Sequence, residues 1–296
     1  MGATTGILYH KTGEEKRIKE CFGYRIKQDR GNDMEYEQII KHWKDKKIVT
    51  VADLRESLSS YSIIFAYNSG AIENPEITYH NTREVFENGK VVNFTGNLRT
   101  VYEIANQKAC FGAMLQHIVD RDPVTSELIC EIHKYLTQGT YDERRWERGE
   151  RPGIFKVHDY CVADGQGAPP EDVPMEIQEL CEEMEDVPDR GENIWKAAAY
   201  LHCKFENIHA FADGNGRVGR TLMNYFLMIH NYPPLVVYNE TKQKYYNALA
   251  HYDKTGEVDP FVAYMKECME QTWDVKPVPE RKLQDMLDLS GEQTLG

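Results

Sequence analysis

Residues 209–220, His-Ala-Phe-Ala-Asp-Gly-Asn-Gly-Arg-Val-Gly-Arg, constrain this chain more than any other stretch. They interrupt one helical pattern and begin another. Upstream, Ile194, Ala197, Ala198, Leu201, Phe205 and Ile208 fall on one helix face. Downstream, Val218, Leu222, Tyr225, Phe226 and Ile229 do the same. Gly214, Asn215 and Gly216 therefore sit where the second helix starts. Free N–H groups and the positive end of the helix dipole converge there, which makes an anion site. Glycines let the backbone approach phosphates without a side-chain clash. Arg217 and Arg220 are three apart, so both can reach outer phosphates from one face. Asp213 is a hard oxygen ligand suited to Mg²⁺. His209 can be neutral near pH 7 and accept a hydroxyl proton. Phe211, among these polar residues, is expected to point inward and anchor the loop.

Each residue also has a plainer reading. A lone histidine is usually structural, and an aspartate before a helix is often an N-cap. Gly-Asn-Gly alone is a turn, and helix arginines are often solvated. Their convergence within twelve positions favours a polyphosphate site with a base beside it.

The remaining pattern is helical. Helices are expected at 34–46, from about 51 to Asn74, within 78–88, at 97–120, 124–137, 173–186, 193–208, 240–252 and 259–272. Pro75 forces a break after Asn74. The stretch 152–170 differs: a β-leaning run around Phe155, Val157 and Tyr160 precedes Gly165, Gly167 and Pro169-Pro170. It is expected to form an exposed β-hairpin. The fold class is thus all-α, a helical bundle with one small hairpin flap. Residues 1–50 are expected to be an N-terminal extension, 51–275 the main domain and 276–296 a polar tail.

Composition excludes several partners. The 296 residues carry a formal net charge of −13, which argues against nucleic acid or an anionic membrane. No apolar run reaches the length of a membrane span, and no signal-peptide core is present at the N-terminus. The seven cysteines are scattered and odd in number, which reads as reduced thiols in a cytoplasmic protein.

The motif resembles the signature of the Fic family, H-x-F-x-[DE]-G-N-G-R-x-x-R, at every fixed position. The resemblance extends over roughly residues 60–275. It implies a Mg²⁺-dependent protein adenylyltransferase, which moves AMP from ATP to a Ser, Thr or Tyr hydroxyl of a target protein. In that scheme His209 is the general base and Asp213 holds Mg²⁺. Gly214, Asn215 and Gly216 cradle the α/β-phosphates, while Arg217 and Arg220 orient the β/γ-phosphates. Relatives that act as kinases carry Lys after the Asn, and phosphocholine transferases carry Ala before it; this chain has glycine at both positions.

Three further stretches take a meaning from the same family. Residues 69–74, Ser-Gly-Ala-Ile-Glu-Asn, resemble the inhibitory pattern [ST]-x-x-x-E-[GN], with Ser69, Glu73 and Asn74 at its fixed positions. The inhibitory helix would span about 55–74, and Glu73 would pair with Arg220 and displace the γ-phosphate. Phe155, Lys156 and Val157 resemble the start of the flap that docks the target as an added strand. The run 244–256 resembles the stretch lining the adenine side, with Tyr246 as the candidate there. Self-modification, removal of AMP and a homodimer are left open. Two other readings stand beside the main one: a regulatory module that binds nucleotide without transfer, and a transferase using another nucleotide.

Overall fold

A computed structural model describes residues 36–91, 94–162, 165–185, 187–189 and 192–273. The expected extension before residue 36 and the tail after 273 lie outside the described residues. In chain order the elements are α1 (Tyr36–Asp45), α2 (Val51–Ser57), α3 (Ser59–Glu73), α4 (Tyr79–Asn88), α5 (Leu98–Asp120), α6 (Ser126–Thr137), α7 (Glu143–Glu147), β1 (Cys161–Val162), β2 (Gly165–Gln166), α8 (Val173–Glu185), α9 (Asn193–Ile208), α10 (Asn215–Ile229), α11 (Lys242–Thr255) and α12 (Asp259–Trp273). The all-α class holds. No described helix is long and apolar enough to cross a membrane.

Helices α9 and α10 form the centre and pack most extensively on each other. α10 is buried nearly all round: Val218, Leu222, Met223, Phe226 and Leu227 are sealed, but so are Arg217, Arg220 and Asn224. Buried polar groups must find partners. Asn224 meets this need by clamping the extended strap at Leu235: it accepts from the Leu235 N–H at 2.7 Å and donates to the Leu235 carbonyl at 2.9 Å. α5, α6 and α3 pack around the remaining faces of α10.

The predicted helix from about 51 to 74 is two helices. The chain leaves helical geometry at Leu58, with φ −105° and ψ 7°. α2 is held by a full capping box, Thr50 with Asp53. α3 is apolar on most sides and ends at Asn74, before Pro75, as the proline requires. The Asn74 side chain then ties this end to α5, donating to Glu103 Oε2 at 2.7 Å and Thr100 Oγ1 at 3.1 Å.

Two other expectations need correction. α7 is absent from the sequence reading; with five residues it is too short to show periodicity, although Asp142 caps it. The predicted hairpin shrinks to a ladder of Cys161 with Gln166 and Val162 with Gly165. Residues 153–160 are not strand. Their backbone is instead tied to the loop after α9: the Lys156 N–H donates to the Ala210 carbonyl at 2.9 Å. The five cysteines with described side chains are free thiols, four of them buried.

Candidate active site

The 209–220 loop starts at a strained point. His209 caps α9 with φ 52° and ψ 58°, a left-handed conformation that few non-glycine residues adopt. Phe211 is fully buried and stacks on His133 at 3.7 Å between ring centres, as an anchor should. Asn215 holds the loop closed. Its side chain accepts from the Phe211 N–H at 2.9 Å and donates to the Phe211 carbonyl at 2.7 Å. Its amide therefore braces the loop from inside.

Gly214 is the N-cap of α10, with φ 87°, which a side chain would strain. No side chain caps this helix. The capping role weighed for Asp213 is therefore excluded, and its carboxylate is free for other work. Three arginines surround it instead. Arg99 Nη2 lies 2.6 Å and Arg145 Nη2 3.7 Å from Asp213 Oδ2, and Arg217 Nη2 lies 3.3 Å from Oδ1. Burial opposes ionisation of Asp213, but Arg217, Arg99 and Arg145 hold the carboxyl below its ordinary value. His133 Nε2 and the Asp213 carbonyl, 3.0 Å apart, fix the backbone behind it.

Arg217 is 2% exposed, and its Nε and Nη1 have no hydrogen-bond partner. Glu103 Oε1, at 3.5 Å from Nη1, is the carboxylate facing it. A buried guanidinium with unspent donors at a helix N-terminus suits an anion. The donor set also fits Mg²⁺, which is commonly held by one or two carboxylates, with phosphate oxygens and water supplying the rest. Among the described residues no cluster of three or more His, Cys, Asp or Glu side chains forms a protein-only cage.

Arg220 is 1% exposed and held mainly by α3. Its Nη2 donates to Glu73 Oε1 at 2.8 Å and to the Ser69 carbonyl at 2.9 Å; its Nε donates to Ser69 Oγ at 3.1 Å. Glu73 also lies directly over Gly216, so close that a Cβ there would collide with Oε1. The three fixed positions of the 69–74 stretch thus meet the site at different points: Ser69 and Glu73 at Arg220, Asn74 at Glu103. Glu103 passes the contact on, accepting from Arg99 Nε at 2.9 Å.

His209 is partly buried, and its pKa is lowered to about 4, first by burial and then by the Lys156 ammonium. The ring is therefore neutral at physiological pH, as a base must be. Glu206, one turn earlier, has one carboxylate oxygen enclosed without a partner, and burial pushes its pKa up to about 8.

The flap and adenine candidates are placed differently from expectation. Lys156 is buried rather than offered to a target, and the N–H groups of both Lys156 and Val157 are already used, the latter by Glu150. Phe155 leans on Phe211 at 5.4 Å. Of the three, only Val157 is substantially exposed, at 48%. A target strand pairing with the main chain at 156–157 has no free N–H there. On α11, Tyr245 turns inward, its hydroxyl 3.0 Å from His202 Nε2 and 3.4 Å from Arg220 Nη1. Tyr246 is 41% exposed and lies within electrostatic reach of Glu73 and Arg220.

Sequence reasoning missed Arg99, Glu103, Arg145 and His133. Arg99 and Glu103 are four apart, an ordinary helix-face pair. Nothing local marks them as neighbours of residue 213.

A family model described as Fic/DOC matches residues 123–227. The chain is 27% identical over 277 residues to "Protein adenylyltransferase Fic" of Aedes aegypti, covering 87% of this chain and 53% of that protein. It is 29% identical over 209 residues to the Drosophila persimilis protein of the same name, covering 71% and 39%. The chain thus spans about half or less of the length of these relatives. Among solved structures, a Fic domain containing signaling protein from Bacteroides thetaiotaomicron superposes with a TM-score of 0.68 at 24% identity, covering 81% of this chain and 94% of that one. Fic-1 from C. elegans superposes at 0.62 with 22% identity, covering 86% and 73%. Both likenesses speak to the fold. Residues 123–227, which include the loop, thus match the Fic/DOC family model, and the fold around them is the one seen in these solved structures.

Proposed function

We propose that this chain is a protein adenylyltransferase held in check by its own α3. A single observation carries the reading: the anion site has one arginine with unspent donors, Arg217, and one captured by a carboxylate, Arg220 with Glu73. Phosphates of ATP would rest on the N-terminus of α10 and on Arg217. Asp213 would hold Mg²⁺, which offsets phosphate charge when bound. His209 would take the proton from a target hydroxyl as its oxygen bonds to the α-phosphorus. The bond to the bridging oxygen breaks, and pyrophosphate leaves.

Restraint follows from competition. Arg220 cannot serve a γ-phosphate while Glu73 holds it, and Glu73 itself covers Gly216. A nucleotide bound against that carboxylate is displaced, and a small displacement in an in-line transfer costs about 10²-fold. The relatives named adenylyltransferase support the reaction class.

One observation favours the alternative of a binding module without transfer: Asp213 is ion-paired to Arg99 and Arg217, which would have to yield to a metal. Labelling separates the two. The protein is incubated with Mg²⁺ and ATP labelled at the α- or the γ-phosphate, alone and with lysate, beside Glu73→Gly and His209→Ala. Label from the α-phosphate that rises in the first variant and vanishes in the second is expected. Bound ATP with no label in any variant would leave the module reading or another nucleotide; UTP and GTP run in parallel decide between those.

A further inference from the structure

Lys156 is 3% exposed, and its Nζ has no hydrogen-bond partner. A buried ammonium without a partner is costly and needs a reason. Its backbone donates to the Ala210 carbonyl at 2.9 Å. On the returning arm of the same segment, the Ala168 N–H donates to the Ile208 carbonyl, also at 2.9 Å. These two bonds grip the chain on either side of His209. Gly167 fills the space inside the grip. A Cβ on Gly167 would lie 2.6 Å from His209 Cβ, 2.7 Å from the Ile208 carbonyl and 3.1 Å from Lys156 Nζ. The ammonium and the His209 Cβ are therefore packed against the same glycine.

On the adenylyl-transfer reading above, we propose that Lys156 is a positioning residue of that reaction: the two gripping arms, at Lys156 and at Gly167–Ala168, hold its ammonium beside His209 so that the imidazole waits without a proton. A base that is already protonated cannot accept the hydroxyl proton. The groups acting on His209 come from four directions. Glu206 lies one turn back on α9, Asp213 four residues on, Glu73 on α3, and Lys156 on the gripping segment. The Asp213 and Glu73 carboxylates and a backbone hydrogen bond at Glu206 favour a proton on the ring, and Lys156 is the cation set against them. Lys156 in turn faces Asp159, Glu176 and Glu150, which keep it charged against the burial that lowers its pKa. Glu176 is already paired with Lys204 at 2.8 Å.

Titration of the His209 ring by NMR in the nucleotide-free full chain tests this without any turnover. In the wild type the midpoint should lie well below 6.5. In Lys156→Met it should rise by about 1 pH unit, the scale of one nearby charge. Lys156→Arg should keep it low. A wild-type midpoint near 6.5 would overturn the proposal, even if Lys156→Met failed to fold. So would an unchanged midpoint in folded Lys156→Met. The activity arm uses label from the α-phosphate of ATP in a Glu73→Gly background. The acid limb of kcat/KM should move up with the NMR midpoint in Lys156→Met and return in Lys156→Arg. A uniform loss of rate at every pH, with the limb unmoved, would make Lys156 merely structural. If the midpoint moves but no nucleotide yields label, Lys156 still sets the histidine and the transfer reading fails. If label appears while midpoint and limb stay put, transfer stands and the Lys156 proposal fails.

Discussion

Glu73 is the residue whose removal is expected to raise the reaction. Its pair with Arg220 is charge-assisted, and Arg220 is sealed from solvent. Glu73→Gly should raise adenylyl transfer by about 10²-fold, the scale of a misplacement relieved. Glu73→Gln should give an intermediate rise, because the amide oxygen can still accept from Nη2 without the charge. Equal rates for wild type, Gln and Gly in the α-phosphate labelling assay would remove restraint from the account. At Asp213 the opposing pull of three arginines predicts a metal-dependent competition. Arg99→Ala removes the 2.6 Å partner and should lower the Mg²⁺ concentration for half-maximal labelling several-fold. Unchanged Mg²⁺ dependence would mean that Arg99 leaves Asp213 at no cost.

At the scale of elements, the two arms at Lys156 and Gly167–Ala168 are tied to the loop by backbone bonds to Ala210 and Ile208, and α3 is tied to it through Arg220. Gly167→Val should break the first. Its side chain would meet backbone at Ile208 as well as His209 Cβ, so the grip must open. Transfer should fall about 10²-fold with the fold retained by circular dichroism, and near-normal transfer would show that the grip does not position the base. The helices themselves were legible because their apolar faces repeat over three or more turns. α10 shows the limit: its polar residues are as buried as its apolar ones, so periodicity alone misplaces Arg217 and Arg220 on a solvated face. The flap resemblance read Lys156 as a docking residue, and the structure buries it. Burial of Lys156 follows from a backbone bond to Ala210, 54 positions away, which no local pattern encodes. The same holds for Arg99 and Glu103, which reach the loop only through the packing of α5 against α10.

The whole molecule keeps an unusual set of buried ionisable groups neutral, and that choice should appear in its stability. Burial lowers His133 and His202 to about 3 and His209 to about 4, from an ordinary 6.5. Each is a group whose folded pKa lies below its unfolded one. Below 6.5 the unfolded chain takes up a proton that the folded chain refuses, so stability is lost as pH falls. Glu206 runs the other way. Its pKa rises from 4.5 to about 8, chiefly by burial, so the folded chain keeps a proton that the unfolded chain releases. Its contribution is present below 4.5 and is lost as pH rises through 8. Between 6.5 and 4.5 three histidines oppose one glutamate, a net uptake of about two protons on unfolding and a slope of roughly 3 kcal/mol per pH unit at most. Between 6.5 and 8 only Glu206 acts, with the opposite sign and about half that slope. Stability measured by urea unfolding should therefore peak near pH 6.5 and fall more steeply on the acid side. His202→Asn should flatten the acid side by about one proton, since His202 is fully buried and binds Tyr245 rather than the reaction site. His209→Asn should do the same while abolishing transfer, which separates the cost of holding a neutral base from its use. A stability curve flat from pH 5 to 8 would mean that these groups titrate normally in the folded chain, and that the neutral histidine at the loop owes nothing to its burial.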